Sequence, residues 1–256
     1  MLKKIFLSAL FILFILLSTA LYRTFTHTPS ITGIIVGEEI SIDEVQASQN
    51  LAASIRFKTI SYQDEGMFPY EEFNNFIKWA AATYPEFHQV MKVEQLEHSL
   101  LFKWRGSDST LAPILFEGHH DVVPIIPGTE NLWQENPFAG VISNDRIWGR
   151  GALDDKSGVI GLMEAATYLI KSNFQPKRTI YFSFGHDEEV GGGGAALITE
   201  KLRQEGVQLY WSLGEGSFVN KGFFPGIDKF IAPINVAEKG SANLMIIAKA
   251  KGGHSS

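Results

Sequence analysis

The pattern of hydrophobic positions divides the chain into an apolar first segment and a longer part in which strands and helices alternate. Lys3 and Lys4 precede an apolar run of 18 residues, 5–22. As a helix this run spans roughly 27 Å, close to the ~30 Å hydrocarbon core of a bilayer. We therefore predict an uncleaved signal anchor over residues 1–22, with a cleaved signal peptide as the alternative.

The charge beside this segment predicts its orientation. Paired lysines stay on the cytoplasmic side, which places the rest of the chain outside the cytoplasm. A cleaved segment would instead leave a secreted or periplasmic protein. Residues 23–40 contain Thr, Pro, Ser and Gly without steady periodicity, so we predict a tether there.

The next segments predict helices and then a strand pair. Ser41, with Glu44 three positions later, is typical of a helix start, and this helix should run to about Phe57. A second helix is predicted over residues 70–83, ended by Pro85. The remaining predictions are a strand pair at residues 90–96 and 100–104, and an inner face of the first helix formed by Val45, Leu51, Ala52 and Ile55.

From residue 112 onward the predicted strands and helices alternate. Helical periodicity covers residues 156–171 and 194–205, and the segment 179–184 is almost entirely apolar, as in a strand buried on both faces. This order predicts an α/β domain, a mostly parallel sheet with helices on both faces. The other predicted strands are 112–117, 142–148 with a turn at Asn144-Asp145, 208–213 and 242–250.

Composition excludes several classes of protein. The 256 residues include no cysteine, so disulfides, thiolate zinc sites and a cysteine nucleophile are excluded. The formal charge of −6 and the lack of basic runs argue against a nucleic-acid partner. Gly191–Gly194 are not followed by Lys-Ser or Lys-Thr, and G-x-S-x-G is absent, so neither a P-loop nor a serine-hydrolase elbow is supported.

Four clusters of His, Asp and Glu lie near the predicted strand ends and point to a metal site. They occupy residues 118–121, 151–156, 186–189 and 214–216. Carboxylates packed closely at strand ends would take up protons unless a cation lies between them. Because zinc prefers His nitrogen and carboxylate oxygen where thiolates are lacking, a pair of divalent metal ions explains the mixture of ligands.

The residue types also indicate separate roles. His119 and Asp121 lie on the same side of an extended chain, so His119 can bind metal while Asp121 accepts the proton on the other ring nitrogen. Glu188-Glu189 offers one carboxylate to the metal and one to a water. Asp154 can bridge two metals about 3.5–4 Å apart.

The motifs at residues 118–124, 148–156 and 185–189 resemble those of the zinc exopeptidase family of aminoacylase, carboxypeptidase S and glutamate carboxypeptidase. The carboxypeptidase S and N-fatty-acyl-amino-acid hydrolase branch is the most similar, and the resemblance covers about residues 41–256. It implies hydrolysis of short peptides from the carboxyl end, or of N-acyl amino acids.

The resemblance also implies roles for single residues. Two zinc ions, with Co2+ or Mn2+ as alternatives, would be bound by His119, Asp154, Glu189 and Glu215. Asp121 would orient His119, Glu188 would be the general base toward a water bridging the metals, and His254 would hold the substrate carbonyl.

One departure from the family pattern affects the predicted domains. The family's last zinc ligand is a His far downstream, beyond the 256 residues. We therefore expect an incomplete, truncated catalytic domain over residues 41–236 and the beginning of a lid or dimerisation domain over 237–256, with a homodimer only if the lid is complete. Two alternatives stay open: an inactive remnant that binds metal weakly, and a phosphoesterase using similar ligands, which the lack of a basic anion clamp disfavours.

Overall fold

The computed structural model describes residues 2–26, 41–216, 218–237, 240 and 244–248. The chain separates into two compact units, Met1–Ser41 and Ile42–Ser256. Glu238 and Lys239, most of the predicted tether, and His254 lie outside the described residues.

The first unit contains one long apolar helix, α1, Leu2–Thr26. The segment Lys3–Thr26 contains an 18-residue window with a mean hydropathy of 2.5, and none of that window is buried by protein. The predicted helix is confirmed, and its length and composition fit both a membrane span and a signal sequence.

The second unit is built on a five-stranded sheet in the order β1-β2-β6-β3-β7. Strand β2 runs antiparallel to β1 and β6, whereas β3 runs parallel to β6 and β7, so four of the five strands share one direction. A separate hairpin is formed by β4 and β5, and a short ladder by β8 and β9. The strands are β1 Lys92–Leu96, β2 Ser99–Trp104, β3 Ile114–His119, β4 Val141–Ser143, β5 Arg146–Trp148, β6 Ile180–Gly185, β7 Trp211–Leu213, β8 Asn220–Lys221 and β9 Phe230–Ile231.

Helices cover both faces of this sheet, as predicted. Successive side chains of a strand point to opposite faces. Accordingly Phe102 packs into the cluster with α3, α4 and α5, whereas Leu101 packs against α6 on the other face. The helices of this unit are α2 Glu44–Ile55, α3 Tyr70–Thr83, α4 Pro85–Val90, α5 Lys156–Lys171 and α6 Gly193–Gln204.

Some predicted details differ from the structure. The cap of α2 is Asp43, whose side chain accepts a hydrogen bond from the amide of Gln46 at 2.9 Å, so the prediction of Ser41 as cap was wrong. Val45 on the same helix is exposed, not internal, although Ala52 and Ile55 are buried as expected. Pro85 ends α3 as predicted and also opens α4, because proline is favoured at the first helical position.

The last predicted strands are shorter or lie mostly outside the described residues. Strand β7 covers three residues of the predicted segment 208–213. Within the predicted strand 242–250, residues 244–248 are described and form no strand, and the others lie outside the described part of the chain.

Candidate metal centre

His119 is the last residue of β3, and its side chain is buried at the centre of a group of carboxylates. Its Nε2 lies 3.0 Å from Oδ1 of Asp154 and 3.4 Å from Oε1 of Glu215. Oε2 of Glu188 lies 3.9 Å from the same nitrogen. One imidazole nitrogen is therefore surrounded by three carboxylates from three different segments.

The sheet register explains why these segments converge. His119 is paired with Gly185 at the end of β6, and Phe116 of β3 is paired with Leu213 of β7. Parallel strands present their carboxyl ends at one edge, where sites of open α/β sheets lie. Residues that directly follow β6 and β7, such as Glu188 and Glu215, are thus carried to the same edge.

The donor set fits a divalent metal ion. His119, Asp154 and Glu215 each offer one ligand atom, and these atoms all lie within 4.8 Å of one another. Bonds of about 2.0–2.1 Å in a tetrahedral zinc site place neighbouring donors about 3.3 Å apart. The observed separations of 3.0 and 3.4 Å lie close to that value.

Asp121 holds His119 and the glutamate loop together. His119 Nδ1 lies 3.1 Å from the carbonyl oxygen and 3.2 Å from Oδ1 of Asp121. The same carboxylate accepts hydrogen bonds from Ser61 Oγ at 2.7 Å and from the amides of Glu188 and Glu189 at 3.1 and 3.2 Å. Although burial opposes ionisation, the hydrogen bonds from His119 and Ser61 lower the pKa of Asp121.

The electrostatics of the group show an excess of negative charge. Burial favours the neutral imidazole, but the carboxylates of Asp121 and Glu215 raise the pKa of His119 to about 10. Burial, together with the charges of Asp155 and Asp154, raises the pKa of Glu215 to about 7. Burial and the charge of Asp154 also raise the pKa of Glu189. A divalent cation would relieve this repulsion.

The predicted site residues are therefore placed as follows. His119, Asp154 and Glu215 form the three-residue group, and Glu188 and Asp121 lie beside it. Glu189 is not a member of that group, although its amide is bound to Asp121.

Two further histidines are sequence neighbours of the proposed ligands, and neither joins the group. His120 is buried with its ring stacked on Phe76 at a centroid distance of 4.9 Å. His186 is also buried, and its Nδ1 lies 2.7 Å from Ser99 Oγ.

The cavity beside the group has a volume of about 200 Å3 and is lined by His119, Glu188 and Glu215, among others.

Sequence reasoning missed three buried polar residues that support the site. Ser61 binds Asp121, as described above. Asp155 accepts a hydrogen bond from the His119 amide at 3.3 Å, and Lys156 donates to two backbone carbonyls beneath the site. Ser61 has no signal in the sequence, whereas Asp155 and Lys156 follow Asp154 directly and resemble an ordinary solvated helix start.

Comparison with known proteins identifies the class. The model of peptidase family M20/M25/M40 matches residues 115–242, which is half of the chain. The chain therefore belongs to this family, and the predicted resemblance is confirmed.

Individual proteins with similar sequences agree with this assignment. The probable carboxypeptidase S-like 2 of Dictyostelium discoideum is 37% identical over 84% of this chain and 42% of its own length. The N-fatty-acyl-amino acid synthase/hydrolase PM20D1 of Mus musculus is 37% identical over the same shares. The chain thus spans less than half of the length of these two curated relatives.

Solved structures confirm the fold. Human carnosine dipeptidase 1 aligns with a TM-score of 0.56 and 23% identity, over 69% of this chain and 40% of its own. The metallo-carboxypeptidase Sso-CP2 from Sulfolobus solfataricus aligns with a TM-score of 0.54 and 22% identity, over 69% and 38%.

Proposed function

We propose that the chain provides the metal centre of a metal-dependent hydrolase of amide bonds, of carboxypeptidase or N-acyl-amino-acid amidohydrolase type. The observation that carries the proposal is the convergence of His119, Asp154 and Glu215 within 4.8 Å of one another, in a chain that belongs to a peptidase family. The relatives described above support the two substrate classes through their names.

In this proposal the three-residue group holds zinc, with Co2+ or Mn2+ as alternatives. Asp154, whose side chain is 56% exposed, would also be shared with a second metal, and Glu189 would complete the ligand set. A metal in this position supplies positive charge that polarises an amide carbonyl and lowers the pKa of water.

Glu188 is the proposed general base. Its side chain is half exposed, lines the cavity and lies 3.9 Å from His119 Nε2, while its amide is held by Asp121. The carboxylate takes a proton from water as the oxygen adds to the amide carbon. It then returns the proton to the leaving amine as the carbon–nitrogen bond breaks.

Other parts of the proposal rest on the resemblance and on the first helix. His254 would hold the substrate carbonyl. Residues 23–40 would be a tether, 41–236 the catalytic part and 237–256 the start of a lid. Helix α1 would anchor the enzyme with its catalytic part outside the cytoplasm, which is consistent with its length and apolar character.

The experiment combines metal content with turnover. Zinc bound to the purified protein is counted by mass spectrometry, and the same protein is assayed on a panel of dipeptides and N-acyl amino acids. Glu188→Gln should retain zinc and lose over ~100-fold in turnover, since it removes the base but keeps the shape of the side chain. The control Glu200→Gln changes a half-exposed glutamate of α6 that is paired with Arg203, and it should retain both properties.

Three outcomes contradict the proposal. Absence of bound metal in the wild type excludes a metal hydrolase. Unchanged turnover of Glu188→Gln excludes its role as base. Hydrolysis of phosphate esters without hydrolysis of amides would favour the phosphoesterase alternative.

A further inference from the structure

Lys156 is the first residue of α5 and is fully buried, with 0% of its side chain exposed. A lysine at the start of a helix is ordinarily solvated, and burying an ammonium group costs free energy unless hydrogen bonds compensate it. The residue also follows Asp154 by two positions.

The partners of Lys156 lie at the C-terminal end of α2 and in α3. Its Nζ donates to the carbonyl oxygens of Ser54 at 2.9 Å and Phe57 at 2.7 Å, in the last turn of α2 and just beyond it. Carbonyls at a helix C-terminus carry its partial negative charge, which favours a cation there. The ammonium also lies 5.5 Å from the ring centroid of Phe76 in α3.

Asp155, which lies between Asp154 and Lys156, is held by other parts of the domain. Asp155 is buried, and its Oδ2 accepts a hydrogen bond from the His119 amide at 3.3 Å, while its Oδ1 accepts one from the Gly158 amide at 3.2 Å. Two consecutive residues thus bind different parts of the domain: Asp155 the metal-ligand strand, and Lys156 the end of α2.

The loop before Asp154 rests on the alkyl chain of Lys156. The Lys156 amide donates to the Gly151 carbonyl oxygen at 3.1 Å. A Cβ atom added at Gly151 would lie 2.6 Å from Val122 Cγ1 and 3.3 Å from Lys156 Cδ. The backbone at Gly151 therefore passes directly over these two side chains, and a side chain there would not fit.

We propose that Lys156 is a positioning residue that fixes the loop presenting Asp154 to the metal. The proposal rests on the proposed function, because it requires Asp154 to be a ligand. The carboxylate of Asp154 is more than half exposed, so its place is set mainly by its backbone. Neighbouring groups must hold the ligands of a metal site in position to within about 0.5 Å, and loss of these groups lowers the affinity for the metal.

The test measures zinc binding and loop mobility in the purified chain. Lys156→Met keeps the unbranched stem and removes the donors. We expect zinc affinity about 10–100-fold weaker, measured by competition with a chromophoric chelator. Amide hydrogen exchange in residues 149–154 of the metal-free chain should become faster. Lys171→Met makes the same change at the exposed far end of α5 and should alter neither property.

A second control separates positioning from damage to the core. Met163→Ala removes buried volume from the same helix without touching the Asp154 loop. The zinc affinities of Lys156→Met and Met163→Ala are compared after correction for any difference in their losses of melting temperature. If Lys156→Met weakens zinc binding no more than Met163→Ala does, Lys156 is only a core residue and the proposal fails.

The remaining outcomes are also decisive. If Lys156→Met does not fold, Lys156→Gln is used, whose amide nitrogen is one atom closer to the backbone than Nζ and so withdraws the donors from the carbonyls of Ser54 and Phe57. Weaker zinc binding of Lys156→Gln at an unchanged melting temperature supports positioning, and unchanged binding overturns it. A wild-type chain that binds no zinc overturns the proposed function itself, whereas equal binding by wild type and Lys156→Met overturns this inference alone.

Discussion

The carboxylate of Asp121 accepts a hydrogen bond from the backbone amide of Glu188 at 3.1 Å, although the two residues follow different strands of the sheet. The same carboxylate contacts the ring of His119 at 3.2 Å. A single buried side chain thus couples the orientation of a proposed metal ligand to the position of the proposed base.

Asp121→Asn should weaken zinc binding about 10–100-fold, because residues that orient metal-ligating histidines have effects of this size. Asparagine keeps one acceptor oxygen, but its NH2 group replaces the other. That NH2 group would face a hydrogen-bond donor of His119, of Ser61 or of the amides of Glu188 and Glu189, and two donors cannot form a hydrogen bond. Chelator competition measures the change. Asp145→Asn, in the exposed turn between β4 and β5, is the matched control because asparagine tolerates the positive φ of 56° there. Equal affinities for the two variants would contradict the prediction.

Ser61→Ala should have a smaller effect in the same direction. The change removes the 2.7 Å hydrogen bond to Asp121 but leaves that carboxylate its contacts with His119 and the loop amides. A hydrogen bond to a charged group contributes about 1.5–3 kcal/mol, so the melting temperature should fall measurably. Circular dichroism of the chain in mild detergent gives the melting curve. A loss of zinc affinity larger than that of Asp121→Asn would show that Ser61 acts by another route.

Gly118→Ala should lower both stability and zinc affinity. An added Cβ would lie 2.7 Å from Asp155 Oδ2 and 3.3 Å from Val159 Cγ2, so the carboxylate that holds the His119 amide must move. Gly161→Ala on α5 is the matched control, since no atom lies within 4 Å of its added Cβ. That variant should gain about 0.5–1 kcal/mol from helix propensity. Melting curves and zinc titrations of both variants check the prediction, and similar behaviour of the two would refute it.

Helix α1 should keep the chain in the membrane after washing with alkaline carbonate. Leu13→Lys places a charge near the centre of the apolar segment, which costs about 2.5–3.5 kcal/mol on insertion scales. The variant should shift toward the soluble fraction, whereas Leu132→Lys, at an exposed position of the second unit, should not. The mass of the protein recovered from the membrane and soluble fractions separates the two interpretations of this helix: an intact N-terminus supports the anchor, and loss of about the first 20 residues supports the signal peptide.

The fold was largely predictable where the hydrophobic pattern is strong. Helix α5 has the predicted bounds, because Val159, Met163 and Ala166 recur at helical spacing and are buried. The hairpin turn at Asn144-Asp145 was also predicted, and both residues have the positive φ that a tight hairpin turn requires. The cap of α2 was predicted at the wrong residue, since Ser41 and Asp43 are both good caps and the sequence alone does not decide between them.

The candidate site, like the fold, was predictable from the sequence only in part. The sequence by itself named His119, Asp154 and Glu215 as candidate ligands, because clusters of His and carboxylates near predicted strand ends favour a cation and because their motifs resemble those of the family. Only the tertiary structure decided that the carboxylates of Asp154 and Glu215 lie beside one imidazole nitrogen of His119. The approach of Glu215 depends on the parallel pairing of β3 with β7, and that of Asp154 on the turn before α5.

The supporting residues depended on tertiary structure entirely. Ser61 and Lys156 are polar residues without a distinctive pattern, and a sequence shows neither their burial nor their partners. Each became identifiable once the fold placed it beside Asp121 or under the Asp154 loop. The physical reason is that hydrophobic periodicity is a local property of the chain, whereas satisfying a buried polar group depends on neighbours that are distant in sequence.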